Sequence, residues 1–133
     1  MNLSKSKELY IDYQSSLERL SETLEEDITK NPIALDALIQ RFEFTFELAW
    51  KLMRAVLLYR GKEINSPRMA IKDGFKEKFF EDGDGWIKML EDRNLTSHTY
   101  KQDLAKEIYE RIKNKHSKLL KDLEESLGKI ISS

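Results

Sequence analysis

Three side chains that can handle a phosphate group lie within the octapeptide 93–100. Arg93 offers a planar fork of fixed positive charge, His98 is of the residue type that exchanges protons near neutral pH, and Tyr100 adds a phenol. Metal-free cleavage of RNA needs such groups, because one must take the proton of the 2′-hydroxyl, another must stabilise charge on phosphorus, and another must protonate the leaving oxygen. The residue types therefore indicate phosphodiester chemistry, provided that the side chains converge.

Convergence requires a break in the helix that would otherwise carry these residues. In one unbroken helix Arg93 and His98 would point about 140° apart. Short hydroxyl residues, which compete with the helix for backbone hydrogen bonds, follow Arg93: Thr96, Ser97 and Thr99. The spacing Thr99-x-x-Gln102 also fits a capping box that opens a helix. We therefore predict one helix ending near Thr96 and another starting near Thr99, with the three side chains at the corner between them, where new helical N–H groups favour an anion.

The motif Arg-x4-His-x-Tyr, written RNLTSHTY at residues 93–100, resembles the signature of HEPN-domain proteins, particularly the toxin half of HEPN/MNT toxin–antitoxin pairs. The segments RFEFTFELAWK at 41–51 and SPR at 66–68, together with Trp86, look like the branch known as nucleotidyltransferase substrate-binding proteins. The resemblance covers most of the chain, and the flanking segments make it more specific than Arg-x4-His alone.

This resemblance implies a metal-independent endoribonuclease toxin that uses no cofactor of its own. Arg93 would hold the scissile phosphate, His98 would move protons, and Asn94 would fix a neighbouring oxygen or a backbone group. One domain supplies one usable histidine, whereas transesterification is helped by a separate acid and base. The resemblance therefore also implies a homodimer in which two Arg93–His98 corners face one cleft that binds RNA.

The resemblance further implies a partner, a minimal nucleotidyltransferase acting as antitoxin. In related systems this enzyme transfers adenylate from ATP onto the motif tyrosine, here Tyr100, so ATP and Mg²⁺ would belong to the partner. Adenylate would add bulk and negative charge beside Arg93 and block the RNA phosphate. A second interpretation stays open, in which the chain is a non-catalytic substrate-binding or regulatory subunit of such a nucleotidyltransferase.

Composition predicts a single helical domain over residues 1–133, because 133 residues with 40% apolar content suit one core. Cysteine is absent and no apolar run approaches the length of a membrane span, so we expect a soluble cytoplasmic protein without membrane contact. The net charge is −1 with 35% charged residues, so no global basic field attracts nucleic acid. Any contact with RNA must be local.

Apolar periodicity predicts an all-α fold, an antiparallel up-and-down bundle of four main helices plus a short one. Predicted helices cover residues 5–28, 32–59, about 66–80 and 100–127, and a further helix carries the apolar run at 86–90 before the motif. The acidic loop EDGDG at 81–85 resembles part of a calcium loop, but further ligands are missing and Arg93 stands where the bidentate glutamate should be. We interpret this loop as a turn.

The helix over 32–59 is apolar on two sides. Its second apolar stripe is either covered by the remaining helices or forms a subunit interface, and the resemblance favours a two-fold dimer. This second stripe consists of Phe44, Leu48, Leu52, Ala55 and Tyr59. Between the stripes, Glu47 and Lys51 have two interpretations: a solvated ion pair, which we favour, or a pair that reaches the corner and orients Arg93 or His98.

The later half of the last predicted helix is basic. The lysines there are predicted to form a solvated face that a phosphate backbone can also use: Lys113, Lys115, Lys118 and Lys121. His116 lies among them without a partner motif, so we predict a surface residue.

Overall fold

The computed structural model of the chain describes residues 3–28 and 30–132, and all regular structure in these ranges is helical. The helices are α1 (Leu3–Leu24), α2 (Pro32–Tyr59), α3 (Pro67–Lys76), α4 (Gly83–Leu95), α5 (Gln102–Arg111) and α6 (Ser117–Ser132). A 3₁₀ turn, Thr96–His98, follows α4, and a π-helical turn, Ile112–His116, joins α5 to α6 without interruption. We call the continuous stretch of α5, the π-helical turn and α6 the C-terminal rod (102–132) and count it as one helix. The predicted all-α arrangement of four main helices and a short one is then confirmed.

Local sequence explains where most helices start. The Asn31 side chain accepts hydrogen bonds from the backbone N–H groups of Ile33 and Ala34, and Pro32 occupies the first turn of α2. Ser66 caps α3 in the same way by accepting from Met69 N at 3.1 Å. Asp82 accepts from Gly85 N at 2.8 Å. The acidic segment predicted to be a turn therefore supplies the N-cap of α4, and its later residues form the first helical turn.

Several predicted boundaries shift. The helix α1 ends at Leu24 rather than at Ile28, which packs in the core from the following turn. The last helix begins at Gln102 rather than near residue 100 and continues to Ser132. The helix α3 ends at Lys76, and Phe79 and Phe80 enter the core from the loop behind it.

Two glycines allow the chain to turn and to pack closely. Gly61 has φ +86° directly after α2, the left-handed conformation that glycine adopts at helix ends without steric cost. At Gly74 on α3, an added Cβ would lie 3.1 Å from Met53 Sδ and 3.2 Å from a ring atom of Phe80. Glycine therefore lets α3 approach α2 closely.

The helix α2 lies at the centre of the fold and packs against α1, α3, α4 and the C-terminal rod. Fully buried aromatic rings fill the space around it: Tyr13, Phe42, Phe46, Phe79 and Trp86. The second apolar stripe of α2 is divided, because Leu52 is fully buried whereas Phe44 is 58% and Tyr59 44% exposed. Within residues 3–28 and 30–132, no helix combines the length and the apolar character needed to cross a bilayer.

Candidate functional site

The motif segment 93–100 contains the helix break that its hydroxyl residues predict. The helix α4 ends at Leu95, the 3₁₀ turn follows, and α5 begins at Gln102. The Thr96 hydroxyl donates to the carbonyl of Arg93 at 2.6 Å, and the Thr99 hydroxyl donates to the carbonyl of Thr96 at 2.9 Å. Side-chain hydroxyls thus satisfy carbonyl groups at the end of α4, so the helix stops there.

The predicted capping box at Thr99 is wrong. The Thr99 hydroxyl points back to Thr96, and Lys101 occupies the N-cap position of α5. A hydroxyl that closes the preceding turn is not available to open the next helix. The new helix therefore starts at Gln102, later than predicted.

Arg93 lies on the last turn of α4 and is held against α2. Its Nη2 donates to Glu47 Oε2 at 2.6 Å, and its Nη1 donates to Asn94 Oδ1 at 3.3 Å. Its guanidinium carbon lies 6.0 Å from the centre of the Phe46 ring. The side chains of Arg93 and Glu47 are each 32% exposed, so the guanidinium is fixed on one side and open on the other.

Glu47 bridges two cations, because its Oε1 also lies 3.5 Å from Lys51 Nζ. The favoured interpretation, a solvated Glu47–Lys51 pair, is thus incomplete, and the alternative in which Glu47 reaches Arg93 describes the contacts better. Partial burial alone would raise the pKa of the Glu47 carboxyl, but the nearby Trp50 indole, Arg93 and Lys51 outweigh it and hold that pKa below its usual value. Glu47 therefore stays ionised and orients Arg93.

His98 and Tyr100 form a second pair on the outer side of the break. The His98 side chain is exposed on the 3₁₀ turn, and its ring centre lies 6.1 Å from that of Tyr100 in an edge-on arrangement. Tyr100 is 77% exposed. Among the contacts of the described residues, Arg93 and His98 share no hydrogen bond. One chain therefore presents a fixed cation and an accessible imidazole on the same short segment, with different partners: Glu47 and Asn94 for Arg93, and Tyr100 for His98. The convergence of the three motif side chains at one corner stays a prediction.

The concave region beside the break is lined by residues 101–104 and Glu107 and has a volume of about 480 Å³. Neither Arg93 nor His98 lines it. Across residues 3–28 and 30–132, no group of three His, Cys, Asp or Glu side chains is placed to hold a metal ion. The lysines predicted to form a solvated face are exposed, as expected: Lys113, Lys115, Lys118 and Lys121.

An ionic cluster that is buried at Asp92 and His116 lies next to Arg93 in the chain, and sequence reasoning missed it. Asp92 is 0% exposed and accepts hydrogen bonds from Arg111 Nε at 2.7 Å and Arg111 Nη2 at 2.8 Å. His116 Nε2 lies 2.7 Å from Asp92 Oδ2, and the His116 ring stacks on Phe42 at 5.7 Å. The prediction that His116 is a surface residue is wrong, because its ring is 1% exposed and packs between Asp92 and Phe42.

The sequence does contain a signal for this cluster. Asp92 follows Met89 and Gly85 at the spacing of one helical face, so a carboxylate occupies the apolar stripe of α4. His116 falls in register with Ile112 and Leu120 in the same way. A charge on a buried stripe requires a partner, because leaving it unpaired is costly. Burial alone would raise the pKa of the Asp92 carboxyl, but hydrogen bonds from His116 and Arg111 and the charge of Arg111 lower it to about 2.

Comparison with known proteins gives consistent likenesses. The family model described as "Nucleotidyltransferase substrate binding protein like" matches residues 8–129. A Haemophilus influenzae protein described as "Probable ribonuclease HepT" is 35% identical over 82 residues, which are 56% of this chain and 54% of that protein. The chain thus spans about half the length of this relative.

Two solved structures share the fold. A crystal structure of a Thermus thermophilus protein is 32% identical, covers 89% of this chain and 98% of its own, and superposes with a TM-score of 0.76. A Haemophilus influenzae structure, described as the fold of a substrate binding domain of a nucleotidyltransferase, is 21% identical and covers 96% and 99% of the two chains with a TM-score of 0.70. At that identity, the second likeness concerns the fold alone.

Proposed function

The chain belongs to the nucleotidyltransferase substrate binding protein like family, and we propose that it is a HEPN-type toxin, a metal-independent endoribonuclease neutralised by a cognate minimal nucleotidyltransferase. The observation that carries the proposal is the helix break after Leu95, which leaves Arg93 held by Glu47 at the end of α4 and carries the exposed His98 and Tyr100 on the turn that follows. The relative described as a probable ribonuclease adds support.

Arg93 is suited to hold the scissile phosphate. A guanidinium has five N–H donors, and Glu47 and Asn94 use one each of the Nη2 and Nη1 hydrogens. The remaining donors are available to phosphate oxygens in the forked geometry that arginine offers. Asn94 is exposed next to them and is suited to bind a further oxygen of the substrate. In the transition state these donors would stabilise the charge on phosphorus.

His98 is suited to move protons, because its imidazole is exposed and imidazoles exchange protons near neutral pH. In-line attack by the 2′-hydroxyl needs a base on one side of the phosphorus and an acid on the other. A single chain supplies one such imidazole beside its Arg93. We therefore propose a homodimer in which the His98 side chains of both copies serve one cleft.

The surface of α2 favours such a dimer. Phe44 is 58% exposed and Leu48, one turn later, is half-buried. Glu47 lies three residues from Phe44 on the same helix, so the exposed apolar surface borders the Glu47–Arg93 pair. A second copy packed on this apolar surface would bring its own motif segment towards the first.

Tyr100 is the proposed acceptor of adenylate from the nucleotidyltransferase partner. Its side chain is 77% exposed and its ring contacts His98. A phosphodiester on the Tyr100 hydroxyl would place negative charge and bulk beside His98 and within the region where RNA must bind. ATP and Mg²⁺ would be bound by the partner in this reaction.

A second candidate is a non-catalytic subunit that presents substrate to a nucleotidyltransferase. The family description, nucleotidyltransferase substrate binding protein like, favours it, and so does the Glu47–Arg93 ion pair, which partly neutralises the cation. In that case the exposed Tyr100 would be a substrate or a contact of the partner, and no RNA would be cleaved.

The first experiment measures RNA cleavage in EDTA by wild-type protein and by Arg93→Ala and His98→Ala. We expect wild type to cleave and both variants to lose at least about a hundredfold in rate, as expected when a general base or an oxyanion donor is removed. Arg68→Ala on α3 removes an exposed arginine outside the motif and should leave the rate unchanged. Equal rates in all four proteins would indicate a contaminating nuclease and refute the enzyme proposal.

The second experiment measures intact mass after incubation with the partner nucleotidyltransferase, ATP and Mg²⁺. Wild type should gain adenylate and lose RNA cleavage, and Tyr100→Phe should stay unmodified. Tyr59→Phe is a matched control, because Tyr59 is also exposed but lies at the end of α2. Modification of Tyr100→Phe to the wild-type extent would show that Tyr100 is not the acceptor.

A further inference from the structure

We infer that Asp92, Arg111 and His116 form a positioning cluster, buried at Asp92 and His116 and partly exposed at Arg111, that fixes the direction in which Arg93 presents its guanidinium. This role in substrate cleavage rests on the proposed function. None of the three side chains belongs to the Arg-x4-His-x-Tyr motif. Asp92 immediately precedes Arg93 on the last turn of α4, so whatever fixes Asp92 also fixes the backbone that carries Arg93.

The last turn of α4 is held from two sides. Successive residues of a helix point about 100° apart. Asp92 therefore points to the C-terminal rod, where Arg111 and His116 bind both of its oxygens, while Arg93 points to Glu47 on α2. Two ionic contacts in different directions prevent the turn from rotating about the helix axis. If the Asp92 contacts were lost, Arg93 would keep Glu47 as a partner, but the backbone that carries Arg93 would no longer be held in place.

The π-helical turn makes the cluster possible. Arg111 and His116 are five residues apart, so in a regular α-helix they would point about 140° away from each other. In the π-helical turn Ile112–His116, the N–H of Ser117 donates to the carbonyl of Ile112, which widens the helix by one residue. Both side chains then reach the carboxylate of Asp92. Such turns are rare and are found frequently at functional sites.

A second set of contacts connects the cluster to Arg93 through aromatic rings. His116 stacks on Phe42 with ring centres 5.7 Å apart, and Phe42 lies 6.5 Å from Phe46. Phe46 in turn lies 6.0 Å from the guanidinium of Arg93. The face of α2 that supports Arg93 is therefore packed against the same imidazole that binds Asp92.

Stability alone does not explain this cluster. Replacing a buried ion pair by apolar side chains of similar volume is often neutral or stabilising, so burying charge is not the simplest way to stabilise a core. Among the described residues, His116 Nδ1 also has no hydrogen-bond partner, which adds a cost. A directional requirement accounts for the buried charge, because hydrogen bonds to an ionised group depend on orientation more strongly than apolar contacts do.

The test compares Asp92→Asn and Arg111→Lys with wild type, with Asp122→Asn as a control at an exposed carboxylate that also has a basic partner. The first variant keeps the shape of the side chain, and the second keeps the positive charge but loses the two-pronged contact. The positional measurement is the NMR signal of the Arg93 Nε–H group, assigned by its absence in Arg93→Lys. The functional measurement is kcat and KM for cleavage of a short RNA.

We expect the Arg93 signal to move to the position of exposed arginines in both cluster variants, while the backbone signals of α1 remain as in wild type. We expect kcat to fall at least about tenfold with KM changed less than about threefold, because a misdirected group loses transition-state contacts first. Asp122→Asn should change neither measurement.

An unchanged Arg93 signal in either folded variant would refute the positioning role, and so would a failure of both variants to fold, which would make the cluster a stability element. If wild type does not cleave RNA, the proposed function fails by itself. The Arg93 signal still decides in that case whether the cluster positions the guanidinium.

Discussion

Glu47 lies between two cations, and in the proposed function this placement determines how Arg93 would receive a phosphate. Its two oxygens contact Arg93 Nη2 and Lys51 Nζ separately, at 2.6 and 3.5 Å. All three side chains are between about a third and two fifths exposed, so the net stability of such pairs is small. Glu47 therefore contributes mainly direction, and in the proposed function its negative charge would compete with the RNA phosphate for the guanidinium.

Glu47→Gln tests this competition. The amide keeps the length of the side chain but removes its charge, so the positive potential at Arg93 increases. We expect KM for a short RNA to fall a few fold, while kcat also falls because the guanidinium is held less firmly. Steady-state kinetics measure both parameters. Glu43→Gln, one turn earlier on the same helix, should change neither, and an unchanged KM in Glu47→Gln would contradict the competition.

The pKa of Asp92 predicts an acid-sensitive contribution to stability. In the folded chain this pKa is about 2, below its usual value of 3.8, so the carboxylate stabilises the fold above pH 4 and loses that contribution as the pH falls towards 2. Since a pKa displaced by one pH unit corresponds to about 1.4 kcal/mol, the contribution lost between pH 6 and pH 2 is about 2 kcal/mol.

Denaturant unfolding of wild type and Asp92→Asn measures this contribution. The difference in free energy of unfolding between the two proteins should be about 2 kcal/mol larger at pH 6 than at pH 2. Asp122→Asn should show no such change, because that carboxylate is exposed. A difference that stays constant with pH would contradict the ionised state of Asp92.

At the scale of elements, the end of α4 decides whether the motif residues can approach one another. The carbonyl of Arg93 accepts both the backbone N–H and the hydroxyl of Thr96. The side chain of Thr96 is buried, so this hydroxyl contact is protected from water. The helix break is therefore fixed by a short segment of hydroxyl residues rather than by glycine or proline.

Thr96→Val removes that hydroxyl and keeps the shape of the side chain. We expect a loss of about 1 kcal/mol in the free energy of unfolding, the usual net value of one buried hydrogen bond. We also expect slower RNA cleavage, because the turn that carries His98 is less well fixed. Ser97→Ala is the control, since the Ser97 hydroxyl is exposed and its contact with Asn94 is 3.4 Å long. Equal stability of Thr96→Val and wild type would show that the hydroxyl does not hold the break.

For the whole molecule, the question is whether two copies complete one cleft. The net charge is −1, so no overall field directs RNA to the chain, and binding must come from a local arrangement of cations. The helix α2 carries both the support for Arg93 and the exposed Phe44. A dimer through this helix would join two such local arrangements.

Mixed dimers of wild-type and His98→Ala subunits test the shared cleft. If each cleft needs both His98 side chains, an equal mixture of subunits retains about a quarter of wild-type cleavage, because only dimers of two wild-type copies are active. Independent sites would retain about half. Subunits coexpressed with two different tags allow the mixed species to be purified, and a purified mixed dimer with half of wild-type activity or more would refute the shared cleft.

The sequence by itself determined the parts of this protein that depend on neighbours a few residues away. The caps at Asn31 and Ser66 and the hydroxyl residues after Arg93 act through bonds to the next turn, so local pattern was enough to place α2, α3 and the helix break. Apolar periodicity predicted the all-α bundle for the same reason. The motif also indicated which residue types were available for chemistry.

Tertiary structure alone decided which side chains meet. Glu47 and Arg93 are far apart in the chain, and their contact depends on how α2 and α4 are rotated against each other. The shared contact of Arg111 and His116 with Asp92 depends on one extra residue in the π-helical turn, which shifts the later residues around the rod axis. Local propensities do not encode such a shift, because its cost is offset only by the contacts that Asp92 and Phe42 make after the helices have packed.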